Sequence, residues 1–134
     1  MLLFGDITER ILGAAIAVHT ELGPGLLESI YEECLAREMT ARGIRFTRQT
    51  RLPVRYRGEL VGGHYRVDFL VEDEVVVELK AIERLEAVHR AQLLSYLRLS
   101  GKQVGLLLNF NVPILPTGVV RMVNSRVSVP APIP

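Results

Sequence analysis

The stretch Arg66-Val67-Asp68-Phe69-Leu70-Val71, the polar turn Glu72-Asp73-Glu74 and the stretch Val75-Val76-Val77-Glu78-Leu79-Lys80 leave the chain few ways to fold. Two alternating segments around a short polar turn read as an antiparallel hairpin. A turn centred on Asp73 sets Leu70 opposite Val76, Asp68 opposite Glu78 and Arg66 opposite Lys80. The odd positions Val67, Phe69, Val71, Val75, Val77 and Leu79 are all apolar and predict one buried face. The even face starts apolar at Leu70 and Val76 and then becomes fully charged. Directly opposed side chains on one sheet face stand about 4.5–5.5 Å apart at Cβ. Two carboxylates at that spacing repel, and burial makes each charge more costly. A shared proton or a cation must offset this. Lys80 shares the face of Glu78, within reach of an ion's bound water or of a substrate phosphate. The plainer alternative is an exposed hairpin in which Arg66 and Lys80 simply neutralise Asp68 and Glu78.

Around this hairpin the spacing predicts the order α-α-β-β-β-α-β-β. Ile7, Ile11, Ala14, Ala15, Val18 and Leu22 mark a helix over 6–22, with Asp6 and Glu9 in a capping arrangement. Gly23-Pro24-Gly25 ends it, and a second helix runs from Leu26 to Arg42 until Gly43. Its expected inner face is Leu27, Tyr31, Cys34, Leu35 and Glu38, with Met39 at the edge. Residues 44–57 read as a strand interrupted near Pro53, and a turn at Gly58-Glu59 leads to a strand over 60–71 that Gly62-Gly63 loosens. Residues 75–80 form a short strand, 84–100 a helix closed by Gly101, 104–110 a buried strand and 119–123 a last one. The expectation is one domain over 1–126 and a frayed, proline-rich tail over 127–134.

Two helical features bear on the charged hairpin. Glu28 falls in the first turn of the second helix with Tyr31 on its face, although an acid there also suits the helix dipole. Gln92 and Tyr96, four residues apart, fall on a stripe with Leu85, Val88 and Leu99, where a buried amide would need partners. His19 reads as a satisfied, half-buried histidine, His64 as solvent-facing at the open end of its strand, and His89 as exposed. Cys34 reads as a small apolar helix residue. A lone cysteine excludes an internal disulfide and a cysteine metal cluster.

Together these residues resemble the PD-(D/E)xK nuclease superfamily and, within it, the GxxExxY proteins. Gly25-Leu26-Leu27-Glu28-Ser29-Ile30-Tyr31 is the pattern that names the latter, preceded by a similar lead-in from His19. Arg66-Val67-Asp68 and Glu78-Leu79-Lys80 match the superfamily's acidic and ExK elements, and Gln92-Leu93-Leu94-Ser95-Tyr96 is similar to the QxxxY element of RecB-type nucleases. Val67 stands where a proline often precedes the acid. The resemblance covers about 7–123. It implies an α/β (α+β) fold with a restriction-endonuclease-like core, a mixed central sheet flanked by helices. It further implies Glu28, Asp68 and Glu78 as ligands of Mg²⁺ or Mn²⁺, Lys80 as the catalytic lysine beside Asp68 and Glu78, and Tyr31, Gln92 and Tyr96 in support. Hydrolysis of phosphodiester bonds in nucleic acid, DNA before RNA, is the activity expected.

Charge sharpens the partner question. The net charge of +1 gives no general attraction to nucleic acid, yet Arg42, Arg45, Arg48, Arg51, Arg55 and Arg57 cluster without an acid among them. Arg45, Arg48, Arg51, Arg55 and Arg57 are therefore candidate phosphate contacts, or else the solvated face of a strand. No apolar run reaches the length of a membrane span, and no basic leader precedes the first helix, so the expected location is cytoplasmic. Two other functions compete: a non-catalytic module of the same fold that binds nucleic acid or protein, and a self-assembling structural protein. Nothing in the sequence specifies an oligomeric state.

Overall fold

A computed structural model describes residues 2–125; the tail expected over 127–134 lies outside them. Its elements are α1 (Gly5–Leu22), α2 (Glu28–Ala41), β1 (Phe46–Tyr56), β2 (Glu59–Val71), β3 (Val75–Lys80), α3 (Ala87–Ser100), β4 (Val104–Asn109), a 3₁₀ turn (Leu115–Gly118) and β5 (Val119–Val123). The expected order holds. The strands form one sheet in the order β1-β2-β3-β4-β5. Only β3 and β4 run parallel, and the other neighbours are antiparallel. A parallel pair needs a crossover, and α3 supplies it.

The core lies on both faces of this mixed sheet. On one, α1 and α2 bury Ile11, Ala14, Val18, Tyr31, Leu35 and Met39 against Phe69, Val77, Leu79, Leu106 and Leu108. On the other, Leu93 and Leu97 of α3 meet Leu52, Val67, Val76 and Leu107. All six residues of β4 are buried, which is why its sequence is continuously apolar rather than alternating.

Several local expectations change. α1 has no side-chain cap: Phe4 occupies the N-cap position and Asp6 lies in the first turn, where it suits the helix dipole. Leu27 precedes α2 and is 73% exposed, whereas Met39, expected at the edge, is fully buried. Cys34 is half-buried against the α1–α2 core. Glu38 pairs with Arg42 at 2.8 Å on the helix surface. The turn between β1 and β2 is Arg57-Gly58, with φ of 52° and 81°, the two left-handed positions a tight hairpin turn requires. Pro53 marks an irregularity as expected, since the β1–β2 register shifts between Pro53 and Arg55. Gly62-Gly63 loosens β2 as expected: between Leu60 and His64 the strand has three residues against one of β1, with Gly63 at φ 99°. α3 begins at Ala87 rather than 84, behind a capping box in which Glu86 N–H donates to His89 Nδ1 at 2.9 Å. His89 is therefore half-buried and structural, not freely exposed.

Candidate active site where two ladders break

The β2–β3 ladder follows the expected register through Val71–Val75, Leu70–Val76 and Phe69–Val77, and stops there. The expected pairs Asp68–Glu78 and Arg66–Lys80 do not form as ladder pairs. At that level each carboxylate takes the place of a backbone carbonyl as acceptor. Asp68 N–H donates to Glu78 Oε1 at 2.7 Å, and Leu79 N–H donates to Asp68 Oδ2 at 2.8 Å. The β1–β2 ladder is broken at the same point, because it passes from Arg48–Phe69 to Thr50–Val67 without a Gln49–Asp68 pair. Gln49 has φ of 47°, a left-handed conformation rare for its type. Its Nε2 donates to Asp68 Oδ1 at 3.2 Å and to Glu32 Oε1 at 2.9 Å.

This double interruption corrects the simple alternating face. All six odd hairpin positions are buried, but Val67 packs on the α3 side while Phe69 packs on the α1–α2 side. The facial switch falls at Asp68.

The site has more negative charge than its surroundings compensate. Glu78 is pushed up to about 8, first by burial and then by Asp68. Asp68 is raised, again chiefly by burial, against the lowering effect of its bond from Leu79 N–H. Glu28 is exposed at the N-terminus of α2, yet it too is raised, by partial desolvation and then by Asp68. Lys80 lowers all three. Among the described residues, however, neither Lys80 nor Arg66 forms an ion pair within 4.0 Å. An exposed hairpin with self-neutralising charges would show the reverse: paired cations and lowered carboxylates.

The supporting residues divide. Tyr31 is fully buried and stacked on Phe110 at 4.6 Å between centroids. Its hydroxyl donates to Gly23 O at 2.6 Å and accepts from Leu26 N–H at 3.1 Å. It thus fixes the bend from which Glu28 emerges. Gln92 is exposed rather than buried on an apolar stripe, so its amide can be solvated. The buried face of α3 is Leu93 and Leu97, and Val88 is 57% exposed. Gln92 and Tyr96 instead line an open groove of about 510 Å³ with Val54, Tyr65 and Leu99. The Tyr96 ring lies 5.7 Å from that of Tyr65, and its hydroxyl is raised by partial burial and then by the charge of Glu78.

The arginine cluster is less available than its sequence density suggests. Arg42 pairs with Glu38, Arg45 with Glu72 at 3.0 Å, and Arg48 with Glu32 at 2.9 Å and Glu33 at 3.3 Å. Among the described residues Arg55 bonds only to Gly58 O, and Arg57 lies over the Tyr56 ring. Arg51 has no acidic partner among the described residues. His19 Nε2 lies 3.1 Å from Phe110 O and 2.8 Å from Val112 O, where it can only donate, so His19 is structural as expected. His64 is exposed.

Three residues of the site escaped sequence reasoning. Gln49 carries no local signal, since its role follows from a backbone conformation. Glu32 could have been found, because it lies one helical turn beyond Glu28 and raises Asp68. Asn109, 1% exposed at the end of β4, accepts from Ile82 N–H and donates to Ile82 O, holding the segment that leaves Lys80.

An all-oxygen donor set suits a hard divalent cation. Among the described residues, Glu78 Oε2 and both oxygens of Glu28 receive no hydrogen bond. Raised carboxylates without a paired cation are the electrostatic condition such an ion relieves, so these residues fit one. Three acidic, histidine or cysteine side chains at metal-holding spacing do not occur among the described residues, although Glu28 is close enough to Asp68 and Glu78 for their charges to act on one another. No helix of the described residues is long and apolar enough to cross a membrane.

No curated protein and no solved structure matches the chain significantly. The model of a nuclease family does, and it spans both helical layers and every strand that frames the carboxylates, over residues 5–122. The mixed five-stranded sheet with three helices is consistent with a restriction-endonuclease-like fold, and members of this group generally use divalent metal ions on nucleic acid. The chain belongs to the PD-(D/E)XK nuclease superfamily.

Proposed function

We propose that this protein is a Mg²⁺- or Mn²⁺-dependent nuclease that hydrolyses phosphodiester bonds in DNA, within the GxxExxY group of its superfamily. The observation that carries the reading is the half-buried Asp68–Glu78 pair, both carboxylates raised and without an ion-pair partner among the described residues, with Lys80 alongside. Asp68 and Glu78 would hold the ion, with Glu28, electrostatically coupled to both, as the further acidic ligand. A bound divalent ion supplies Lewis-acid polarisation of the phosphoryl oxygen and an activated water. Lys80, without an ion pair among the described residues, offers its ammonium to charge developing on the phosphate. Tyr31 positions the bend that presents Glu28, and Gln92 and Tyr96 offer polar groups to the flanking nucleotide along the α3 groove.

The test is cleavage of a panel of single-stranded, duplex and branched DNA and of RNA by purified protein with Mg²⁺ or Mn²⁺. Activity should vanish with chelator and in Asp68→Ala, Glu78→Ala and Lys80→Ala. Failure to cut any member of the panel would sink the reading.

One observation favours a second function, that of a non-catalytic nucleic-acid-binding module: the absence of a three-ligand metal cluster among the described residues. On that reading binding survives all three alanine substitutions, and adding Mn²⁺ leaves the melting temperature unchanged.

A further inference from the structure

Arg51 and Arg66 are direct cross-strand partners in the β1–β2 ladder, and both are exposed. The residues beside them define the face they occupy. Val67 is buried on the α3 side, and the Tyr65 ring lies 5.7 Å from Tyr96 of α3. Strand alternation therefore puts Arg51 and Arg66 on the opposite face. Asp68, two residues beyond Arg66, shares that face, as its interactions with Glu32 and Gln49 require.

Like charges directly opposed on neighbouring strands destabilise a sheet. Nothing within the described structure relieves this pair, since no carboxylate lies within 4.0 Å of either guanidinium. Arg42, Arg45 and Arg48 of the same segment each have an acidic partner. Two exposed arginines rooted at directly opposed positions can both turn a guanidinium fork to one phosphate.

We infer that Arg51 and Arg66 clamp a backbone phosphate of the polynucleotide, beside the phosphate that reacts at Asp68 and Glu78. The inference rests on the nuclease reading for the identity of its ligand. A step of two residues along a strand is about 6.8 Å, which offsets the clamped phosphate from Asp68 by about one nucleotide. The hairpin thus sets the register in which the strand enters, and the arginines act by holding substrate, not by chemistry.

The experiment is fluorescence-anisotropy binding of labelled single-stranded and duplex DNA oligonucleotides in chelator, over a series of salt concentrations. Arg51→Gln/Arg66→Gln should loosen binding at least tenfold near 0.15 M salt. It should also flatten the log–log salt slope by about 1.4–1.8, the value for two phosphate contacts. Arg37→Gln, which removes an ion-paired arginine on α2, should change neither. The double variant should melt no lower than wild type, because a repulsion is lost, so weakened binding cannot be assigned to unfolding. In cleavage its KM should rise more than its kcat falls. An unchanged slope and affinity in the double variant overturns the clamp, whatever the cleavage result. A wild-type protein that cuts nothing, while its salt slope still depends on the pair, overturns the nuclease reading and supports the clamp. Wild-type protein that binds neither oligonucleotide overturns both.

Discussion

Replacing Glu78 with glutamine should make the metal-free protein more stable at pH 8, not less. Glu78 holds its proton to about pH 8 in the folded chain, against an ordinary value of 4.5. Between those limits the folded state binds more protons than the unfolded chain, so stability falls as pH rises across this window. Below about 4.5 the contribution is fully present, and above about 8 it is gone. At about 1.4 kcal/mol per tenfold change in acidity, the loss is at most roughly 5 kcal/mol. That is a large share of the 5–15 kcal/mol typical of a whole domain. Glutamine keeps an oxygen in place to accept from Asp68 N–H, which now meets Glu78 Oε1 at 2.7 Å, and it carries no charge. Urea denaturation in chelator at pH 5, 6, 7 and 8 measures the effect. Wild type should lose several kcal/mol across the series, and Glu78→Gln should lose far less. Adding Mn²⁺ at pH 8 should restore the wild type and leave the variant unmoved. A wild-type profile flat from pH 5 to 8, or a Glu78→Gln profile parallel to it, would refute the electrostatic account of the site.

The other expectations touch different parts of the molecule. Lys80→Met breaks no ion pair among the described residues but removes the cation that lowers Glu28, Asp68 and Glu78, so the melting temperature should fall by no more than a few degrees while cleavage drops by about 100-fold or more; a loss of activity that merely tracks unfolding would contradict the role given to Lys80. Tyr31→Phe keeps the stack on Phe110 but abandons Gly23 O and Leu26 N–H, costing about 1–2 kcal/mol and several degrees of Tm in calorimetry. Gly118→Ala would put a methyl 2.3 Å from the backbone Asn109 O, whereas Gly105→Ala meets only the side chains of Leu93 and Leu97 at 2.8 and 3.2 Å. The former should lose about 1–3 kcal/mol in denaturation and the latter less, because a side chain can move where backbone cannot. Mn²⁺ titrated into weakly buffered protein at pH 7 should release protons to an indicator dye, since binding ionises Glu78; metal uptake without proton release would argue against that carboxylate as ligand.

The comparison of sequence with structure is most instructive at single residues. Asp68, Glu78 and Lys80 were legible because a hairpin's two-residue period and its short turn fix which side chains share a level. Glu28 was legible from a glycine-rich bend and a helix start. Gln92 lies elsewhere than its spacing suggested: its stripe is the wall of an open groove, and the buried face of α3 is Leu93 and Leu97. The arginine cluster misled because density along the chain says nothing about partners. Glu32, Glu33 and Glu72, distant in sequence, take up Arg48 and Arg45.

By itself the sequence determined the element order, the β2–β3 register through Phe69–Val77 and the identity of the acidic pair, because these follow from local periodicity and turn chemistry. Tertiary structure alone decided that both ladders break at Asp68, that the carboxylates bond to each other's strands, and that Gln49 and Glu32 join them. The physical reason is the partial desolvation of two neighbouring carboxylates. A regular ladder would leave Asp68 and Glu78 facing each other with no donors, and backbone amides freed by the break are the donors nearest to hand.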